Sequence, residues 1–275
     1  MEKSDVTILV NSCDLYEDAW YPFFKLFKTY WCECPYRVIL NTETKSFSMK
    51  EMNIEVFNSS VDLTWSKRLL MALDEIDTEY VLFFLEDFFL MSQVNTQVFA
   101  SALECMKNNE KIGVVYFNPD VNYNDWQTQN VYNEYFTELV KSSNARINAV
   151  AGLWRKSFLK KIIKEKESPW DFELLGTKRA KFFDEKILCL TKDSPVPFDF
   201  HFWKSYGYGI SQKRWLPKNK ELFEKHGIEV NFDNLGWYDM NQGKRVHRTT
   251  KEKLKLIYQN PKELLEMVAE KIKRM

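Results

Sequence analysis

The longest apolar run in the chain predicts a β-strand that is buried on both faces. The run Tyr80–Leu85 holds only tyrosine, phenylalanine, leucine and valine, with no glycine or proline. Continuous runs of this kind are typical of the central strands of a mostly parallel sheet. Glu86 and Asp87 follow directly, and burying two unpaired carboxylates would be costly. We therefore place this pair at the carboxyl end of the strand, where open α/β sheets bind ligands.

Strand-like and helix-like patterns alternate through the N-terminal part of the chain. Short apolar runs at 6–11, 37–40 and 54–57 predict strands. Apolar residues three and four positions apart predict helices at 18–30 and 65–76. A further helix is expected at 96–108 and a further strand at 113–117. This order implies right-handed crossovers, so we predict an α/β fold whose mostly parallel central sheet is flanked by helices, with a Rossmann-like N-terminal half.

The C-terminal residues form a separate pattern. Asn260, Pro261 and Glu263 give the start signals of a helix, and an apolar stripe follows them. Residues 251–275 carry more basic than acidic side chains. We therefore predict a main domain over 1–240 and a basic amphipathic helical tail over 241–275. The tail would lie on an anionic membrane surface or a partner, or it would pack against the main domain.

The composition supports a large buried core and excludes several classes of function. Of the 275 residues, 45% are hydrophobic and 16% are aromatic, which excludes a disordered chain. The 39 basic and 39 acidic residues balance, so no overall positive field draws the protein to nucleic acid. The five cysteines lack the spacing of a zinc motif. No apolar run has the length of a signal peptide or a membrane span, and we expect a cytoplasmic protein.

Polar residues after the predicted strands are candidates for ligand contacts. Adjacent acids such as Glu86 and Asp87 can hold Mg²⁺ or Mn²⁺ against a substrate diphosphate. The alternative is a solvated strand end or a helix N-cap. Asp14, after the first strand, is either a ligand contact or a cap of the next helix. Thr64 precedes a helix whose N–H groups could face an anion, with Arg68 in its first turn; here the alternative is an ordinary N-cap.

Four segments together resemble glycosyltransferases of the glycosyltransferase-A fold, of the bacterial type that builds surface polysaccharide. They are SCDLYEDAWYPFFKLFKTYW, LTWSKRLLMAL, YVLFFLEDFFL, and AGLWRKSFLKKI leading to SPWDFELLGTKRA. The chain departs from the family pattern because Glu86-Asp87-Phe88 stands where an Asp-x-Asp signature is expected. The resemblance implies a nucleotide-sugar half over 1–120 and an acceptor half over 121–240.

The resemblance also implies a donor site at the carboxyl end of the sheet. Asp87 would bind Mn²⁺ or Mg²⁺, and Glu86 would lie beside the diphosphate of the donor. The metal would offset the charge that develops on the leaving nucleoside diphosphate. The other donor-binding residues implied are Ser12, Cys13, Asp14, Asn41, Glu43, Trp65 and Arg68. For Trp65, packing in the core is the favoured alternative.

An acceptor site is implied by the segment 168–179. Glu173 would act as the general base that takes the proton from the acceptor hydroxyl, and Asp171 is the rival base. Trp170 would stack on an acceptor sugar, and Arg179 would pair with Glu173 or reach phosphate. Trp154 is a further implied acceptor contact. The alternative is a surface helix whose acidic side chains are solvated.

The function implied is transfer of a sugar from a nucleotide-sugar, most often a UDP-sugar, to a glycan or lipid-linked acceptor. We expect direct, inverting transfer in the synthesis of capsule or lipopolysaccharide, with the tail in peripheral contact with the inner face of the cell membrane. One alternative is a sugar nucleotidyltransferase, which should carry a Gly-rich loop where this chain has SCDLYED. The other is a non-catalytic carbohydrate-binding or scaffold protein on the same fold.

Overall fold

The computed structural model describes residues 4–117, 127–201 and 208–241, which form a mixed α/β fold. Its strands are β1 (Val6–Asn11), β2 (Arg37–Thr42), β3 (Glu55–Asn58), β4 (Tyr80–Leu85), β5 (Ile112–Tyr116), β6 (Thr128–Val131), β7 (Phe136–Leu139), β8 (Gly152–Arg155), β9 (Lys186–Leu190), β10 (Ile210–Ser211) and β11 (Arg214–Trp215). Its α-helices are α1 (Trp20–Tyr30), α2 (Trp65–Asp74), α3 (Thr96–Asn108), α4 (Lys156–Ile162), α5 (Pro169–Ala180) and α6 (Asn219–Lys225). A 3-10 helix, Asp14–Ala19, leads from β1 into α1.

Nine of these strands form one sheet, in the order β3-β2-β1-β4-β8-β5-β9-β7-β6. Parallel pairs join β3 to β2, β2 to β1, β1 to β4, and β5 to β9. Strand β8 lies antiparallel between β4 and β5, so β5 and β9 run in the same direction as β4. The antiparallel pair β6 and β7 completes the edge beyond β9. The prediction of an α/β fold with a mostly parallel central sheet is therefore confirmed.

Strand β4 lies near the centre of the sheet and is buried on both faces. Leu82 and Phe84 belong to one hydrophobic cluster, and Val81 and Phe83 belong to the other. Successive side chains of a strand point to opposite faces, which is why this sequence has no polar alternation. Burying a leucine or phenylalanine side chain stabilises the fold by about 1.5–3 kcal/mol. The strand therefore anchors both layers of the core, and its carboxyl end holds a fixed position.

Helices cover both faces of the sheet. On one face α1 and α3 contribute Phe23, Phe27 and Phe99 to the first cluster. On the other face α2, α4 and α5 pack through residues such as Leu69 and Phe172. The spacing of three and four positions that predicted α1 and α2 is the spacing of their buried side chains. These helices fix the loops that leave the carboxyl ends of the strands.

Residues 208–241, called the C-terminal lobe below, pack against the segment that follows β4. The ring of Phe89 lies 6.2 Å from that of Trp215 and 5.0 Å from that of Phe223. Just before the lobe, the His201 N–H donates to the Phe89 carbonyl at 2.7 Å. The lobe therefore stands beside the Glu86 and Asp87 positions.

The predicted tail over 241–275 lies outside the described residues beyond position 241. Among the helices that the structure describes, none is long and apolar enough to cross a membrane.

Candidate functional site

The carboxyl ends of β1, β2 and β4 bring most of the predicted donor-site residues together. The strands are in register, with Asn11 of β1 opposite Asn41 of β2 and Leu85 of β4. The loops that follow carry Ser12 to Asp14, Glu43, and the Glu86–Asp87 pair. Asn41 donates from its side-chain nitrogen to Asn11 Oδ1 at 2.6 Å, so this amide holds the two strand ends together.

A reciprocal hydrogen-bond pair links the loops after β1 and β2. The Asp14 N–H donates to Glu43 Oε2 at 3.0 Å, and the Glu43 N–H donates to Asp14 Oδ1 at 3.1 Å. Thr44 donates to the Asp14 carboxylate from both its backbone N–H and its hydroxyl. Partial burial opposes the charge on Asp14, but the Thr44 bonds and those from neighbouring backbone N–H groups outweigh it and lower the pKa of Asp14. Asp14 therefore acts as an ionised tie between the loops.

Arg68 adds a buried cation to this network. Its Nη1 lies 2.8 Å from Glu43 Oε1, and its Nε has no hydrogen-bond partner among the described residues. Thr64 caps α2 by accepting from the Lys67 N–H at 3.2 Å, as the alternative for that residue predicted. The ring of Trp65 lies 5.6 Å from Phe172 of α5, so Trp65 packs between two helices.

The acidic pair after β4 is buried. Glu86 is 6% exposed and Asp87 is 8% exposed, which contradicts the alternative of a solvated strand end. The pair does not cap the next helix either, because Asn95 caps α3. The Ile210 N–H donates to Asp87 Oδ2 at 3.0 Å, and the Gly209 N–H donates to the Asp87 carbonyl at 3.1 Å. The C-terminal lobe thus holds Asp87 in place.

Burial makes Glu86 an unusual carboxyl group. Removal from water and, as the next cause, the neighbouring Asp87 charge together raise its pKa to about 8, although Ser12 and Arg68 act in the opposite direction. Ser12 hydrogen-bonds Glu86 and also accepts from Trp20 Nε1 at 2.8 Å. Strongly perturbed carboxyl groups are concentrated at functional sites.

Two more titratable groups share this environment. Burial, followed by the nearby Glu86 and Glu43 charges, raises the pKa of the Cys13 thiol to about 11. Burial also raises the pKa of Tyr16, again with Glu86 as the next cause. Cys13 was predicted at this site, whereas Tyr16 was not. The only feature of the sequence that could have indicated Tyr16 is its position two residues after Asp14, in the 3-10 helix that follows β1.

Glu173 of α5, which was predicted as an acceptor-site residue, lies at the same end of the sheet. Gly152 of β8 pairs with Phe83 of β4, so the residues before β8 pass the carboxyl end of β4. In that segment the Ala149 N–H donates to Glu173 Oε1 at 3.0 Å. This bond orients a half-buried carboxylate on α5 toward the edge where the donor-site residues meet.

The other predicted acceptor-half residues have packing or capping positions. Asp171 forms a capping box with Ser168 at the start of α5. Trp154 is 1% exposed, within the core, and Arg179 forms a buried ion pair with Glu167 at 2.6 Å. The acceptor contacts predicted for Trp154 and Arg179 need correction, because neither side chain reaches the surface. Trp170 is 63% exposed at the start of α5 and remains a candidate.

The acidic pair can supply part of a divalent-metal site. Within the described residues, no group of three or more His, Cys, Asp or Glu side chains could hold a metal ion. Mg²⁺, however, is commonly held by one or two carboxylates together with substrate phosphates and water. The raised pKa of Glu86 shows that a second negative charge beside Asp87 is disfavoured without a counter-charge. These residues therefore fit a cation that substrate oxygens help to bind.

Comparison with known proteins finds likeness to solved structures. No protein-family model matches the chain, and no curated protein matches it. The chain resembles S. aureus TarS 1–349 in complex with UDP-GlcNAc at 15% identity and a TM-score of 0.47, over 69% of this chain and 56% of that one. It resembles a cytidylyltransferase from Leptospira borgpetersenii at 12% identity and a TM-score of 0.43, over 90% of this chain and 100% of that one. UTP-bound UGPase from Acinetobacter baumannii matches at 8% identity and a TM-score of 0.43, over 69% and 86% of the two chains.

These similarities concern the fold. The chain spans a little over half the length of the TarS 1–349 chains that it matches.

Proposed function

We propose that this chain is a glycosyltransferase that moves a sugar from a nucleotide-sugar donor to a glycan or lipid-linked acceptor. The observation that carries the proposal is the buried Glu86–Asp87 pair, which meets the Arg68–Glu43 ion pair at the carboxyl ends of β4, β1 and β2. That end of an open α/β sheet is where such folds bind ligands. A buried carboxyl group with a strongly raised pKa in the same place, Glu86, supports a role in ligand binding rather than in packing.

The donor's diphosphate would lie between the acidic pair and Arg68. Asp87, with Glu86, would hold Mn²⁺ or Mg²⁺, and this ion would supply Lewis-acid stabilisation of the leaving diphosphate. The unpaired Nε of Arg68 offers a donor to a phosphate oxygen. Ser12, Cys13 and Asp14 would line the pocket for the base and ribose, where the ionised Asp14 can accept from a hydroxyl or a base N–H.

Glu173 would be the general base. It would take the proton of the acceptor hydroxyl as that oxygen forms a bond to the anomeric carbon. The bond from that carbon to the donor's diphosphate breaks in the same step, and the diphosphate leaves with the electron pair. The result is inversion at the anomeric carbon. Glu173 is preferred over Asp171, because Asp171 is engaged with Ser168 in the capping box.

The finer assignments extend the sequence resemblance. A UDP-sugar is the proposed donor. The proposed acceptor is a lipid-linked glycan of bacterial surface polysaccharide, capsule or lipopolysaccharide, at the inner face of the cell membrane. The basic tail over 241–275 would supply the peripheral membrane contact.

The test is thermal stability of the full chain with UDP, GDP, CMP or dTDP, each with and without Mn²⁺. A ligand that binds only the folded state stabilises it, by about 2.7 kcal/mol at one hundred times its Kd. We expect a metal-dependent rise in Tm with UDP that is lost in Asp87→Asn. The matched control is Asp184→Asn, because Asp184 is an exposed carboxylate far along the chain whose side chain is 79% accessible.

Two results of this experiment would contradict the proposal, one as a whole and one in its metal assignment. If no nucleotide raises the Tm of the wild-type chain, the donor site is absent and the non-catalytic carbohydrate-binding alternative replaces it. If UDP raises the Tm equally with and without Mn²⁺, the metal assignment of Asp87 is lost and the nucleotide site stands.

A further inference from the structure

We propose that Trp237, in the C-terminal lobe, is the platform on which a pyranose ring of the acceptor glycan stacks. The inference rests on the proposed function, since it names a binding residue for that acceptor. Trp237 is 39% exposed. An indole presents a flat apolar face with a polar N–H at its edge, and a pyranose presents an apolar C–H face with hydroxyls around its rim. The two surfaces are therefore complementary.

A column of packed rings supports Trp237 from behind. The centroid of its ring lies 4.3 Å from that of Phe232, and Phe232 lies 5.5 Å from Trp215. Trp215 in turn stacks on Phe89 at 6.2 Å, and Phe89 follows Asp87 by two positions. The exposed indole thus stands at one end of a column whose other end is beside the acidic pair.

The backbone around Trp237 is also fixed. The Trp215 N–H donates to the Gly236 carbonyl at 2.9 Å, and the Tyr238 N–H donates to the Trp215 carbonyl at 2.8 Å. Gly236 has a φ of +65°, a conformation that favours glycine. A side chain that is already held in place loses little conformational entropy when a ligand binds. This backbone therefore preorganises the platform.

Hydrogen bonds tie the lobe to the donor end of the sheet. Asn234 donates from its side-chain nitrogen to Asp18 Oδ2 at 2.7 Å, and Asp18 belongs to the 3-10 helix that follows β1. The Ile210 N–H donates to the Asp87 carboxylate after β4. An acceptor must reach the anomeric carbon of the donor, so a sugar platform is useful only at this end. The Asn234 bond ties the segment that carries Trp237, three positions further along the chain, to this end of the sheet.

Trp170 provides a direct contrast. It is more exposed than Trp237, at 63%, and no ring of the described residues packs against it. Binding a sugar on an unsupported indole has to immobilise that side chain, which costs free energy. The structure therefore favours Trp237 over the tryptophan that the sequence indicated.

The experiment follows the indole N–H signals of the full ¹⁵N-labelled chain, in the presence of UDP and Mn²⁺. The chain has nine tryptophans, and Trp237→Phe and Trp170→Phe identify the two signals by their absence, while the remaining signals report that each variant is folded. The probes are the methyl β-pyranosides of glucose, galactose and N-acetylglucosamine. Mannitol, a polyol without a ring, is the control.

We expect the Trp237 signal to shift saturably with at least one pyranoside, while Trp170 does not shift and mannitol moves neither. A Trp237 signal that no pyranoside moves, or a larger saturable shift at Trp170, overturns the inference. Nucleotide binding is measured separately by the rise in Tm. A nucleotide response without a pyranoside response removes the platform alone, whereas a pyranoside response at Trp237 without nucleotide binding supports the platform and removes the transferase proposal.

Discussion

The proposed donor end, at the carboxyl ends of β1, β2 and β4, and the proposed acceptor half differ in how well the sequence predicts which residues line the site. At the donor end Asp14, Glu43 and Glu86 each follow a strand, and the parallel register brings them to one edge. In the acceptor half Trp154 and Arg179 lie inside a strand and a helix, and both are buried in packing positions. Polar residues that follow parallel strands converge because of topology alone, whereas a residue inside an element depends on which of its faces is covered.

The two regions also differ in charge balance. The Arg179–Glu167 pair of the acceptor half is buried and matched, with two hydrogen bonds at 2.6 and 2.9 Å. At the donor end, Glu86 and Asp87 are buried together, and the pKa of Glu86 is raised to about 8, first by burial and then by Asp87. Arg179 and Glu167 neutralise each other, whereas Glu86 ionises beside Asp87 readily only if a cation or a cationic ligand group is also bound. The comparison leads to three tests.

The largest expected effect is on catalysis, from Glu173→Gln. The amide oxygen of glutamine can still accept from the Ala149 N–H, but the side chain cannot take a proton. We expect the rate of sugar transfer to fall by about 10²- to 10⁴-fold, the usual contribution of a general base. The nucleotide-induced rise in Tm should be unchanged, because the donor end is untouched. Single-turnover kinetics with the sugar donor measure the rate of sugar transfer.

Asp171→Asn is the matched variant for this test. It weakens the capping box of α5, so it should destabilise the fold by about 0.5–2 kcal/mol and leave the transfer rate near that of the wild type. If Asp171→Asn abolishes transfer and Glu173→Gln does not, the roles of the two acids are exchanged and the capping box cannot be the main role of Asp171.

The next effect is on stability, from Arg179→Met. This change leaves the buried Glu167 carboxylate without its partner, and breaking a buried ion pair in this way costs about 3–5 kcal/mol. Urea unfolding should show that loss, while the rise in Tm with UDP and Mn²⁺ stays the same. The control is Lys161→Met, which removes the more exposed pair with Glu185 and should cost about 0–1 kcal/mol. A normal free energy of unfolding together with lost nucleotide binding would instead make Arg179 a ligand contact.

Much of the fold could be predicted because its signals are local. The apolar run of β4 and the acids after it lie within eight residues of each other in the printed sequence, from Tyr80 to Asp87. The contacts of the C-terminal lobe could not be predicted in this way. The bond from the Ile210 N–H to Asp87 joins positions 123 apart in the chain, and no periodicity signals it. The burial of Trp154 could not be predicted either, because a tryptophan within a strand is as typical of a hydrophobic core as of a sugar-binding site.

The smallest effect, counted per pH unit, is a pH dependence of the free energy of unfolding, which is tested with Glu86→Gln. The pKa of Glu86 is about 8 in the folded chain and has its ordinary value of 4.5 in the unfolded chain. Between these values the folded state holds a proton that the unfolded state has released. The contribution of protonated Glu86 to the free energy of unfolding is therefore fully present below about pH 4.5. It is lost as the pH rises through 8, by at most about 1.4 kcal/mol per pH unit.

Urea unfolding at pH 5, 6, 7 and 8 measures the difference in the free energy of unfolding between wild type and Glu86→Gln. Every other titrating group is present in both chains. We expect the wild type to lose stability relative to the variant as the pH rises. A saturating concentration of UDP with Mn²⁺ should flatten that difference, because a nearby cation favours the ionised carboxylate and lowers its pKa. Parallel curves without ligand would mean that Glu86 is already ionised in the folded state. The negative charge at the donor end would then be compensated by Arg68 and Ser12 alone, and the contrast with the matched pair of the acceptor half would disappear.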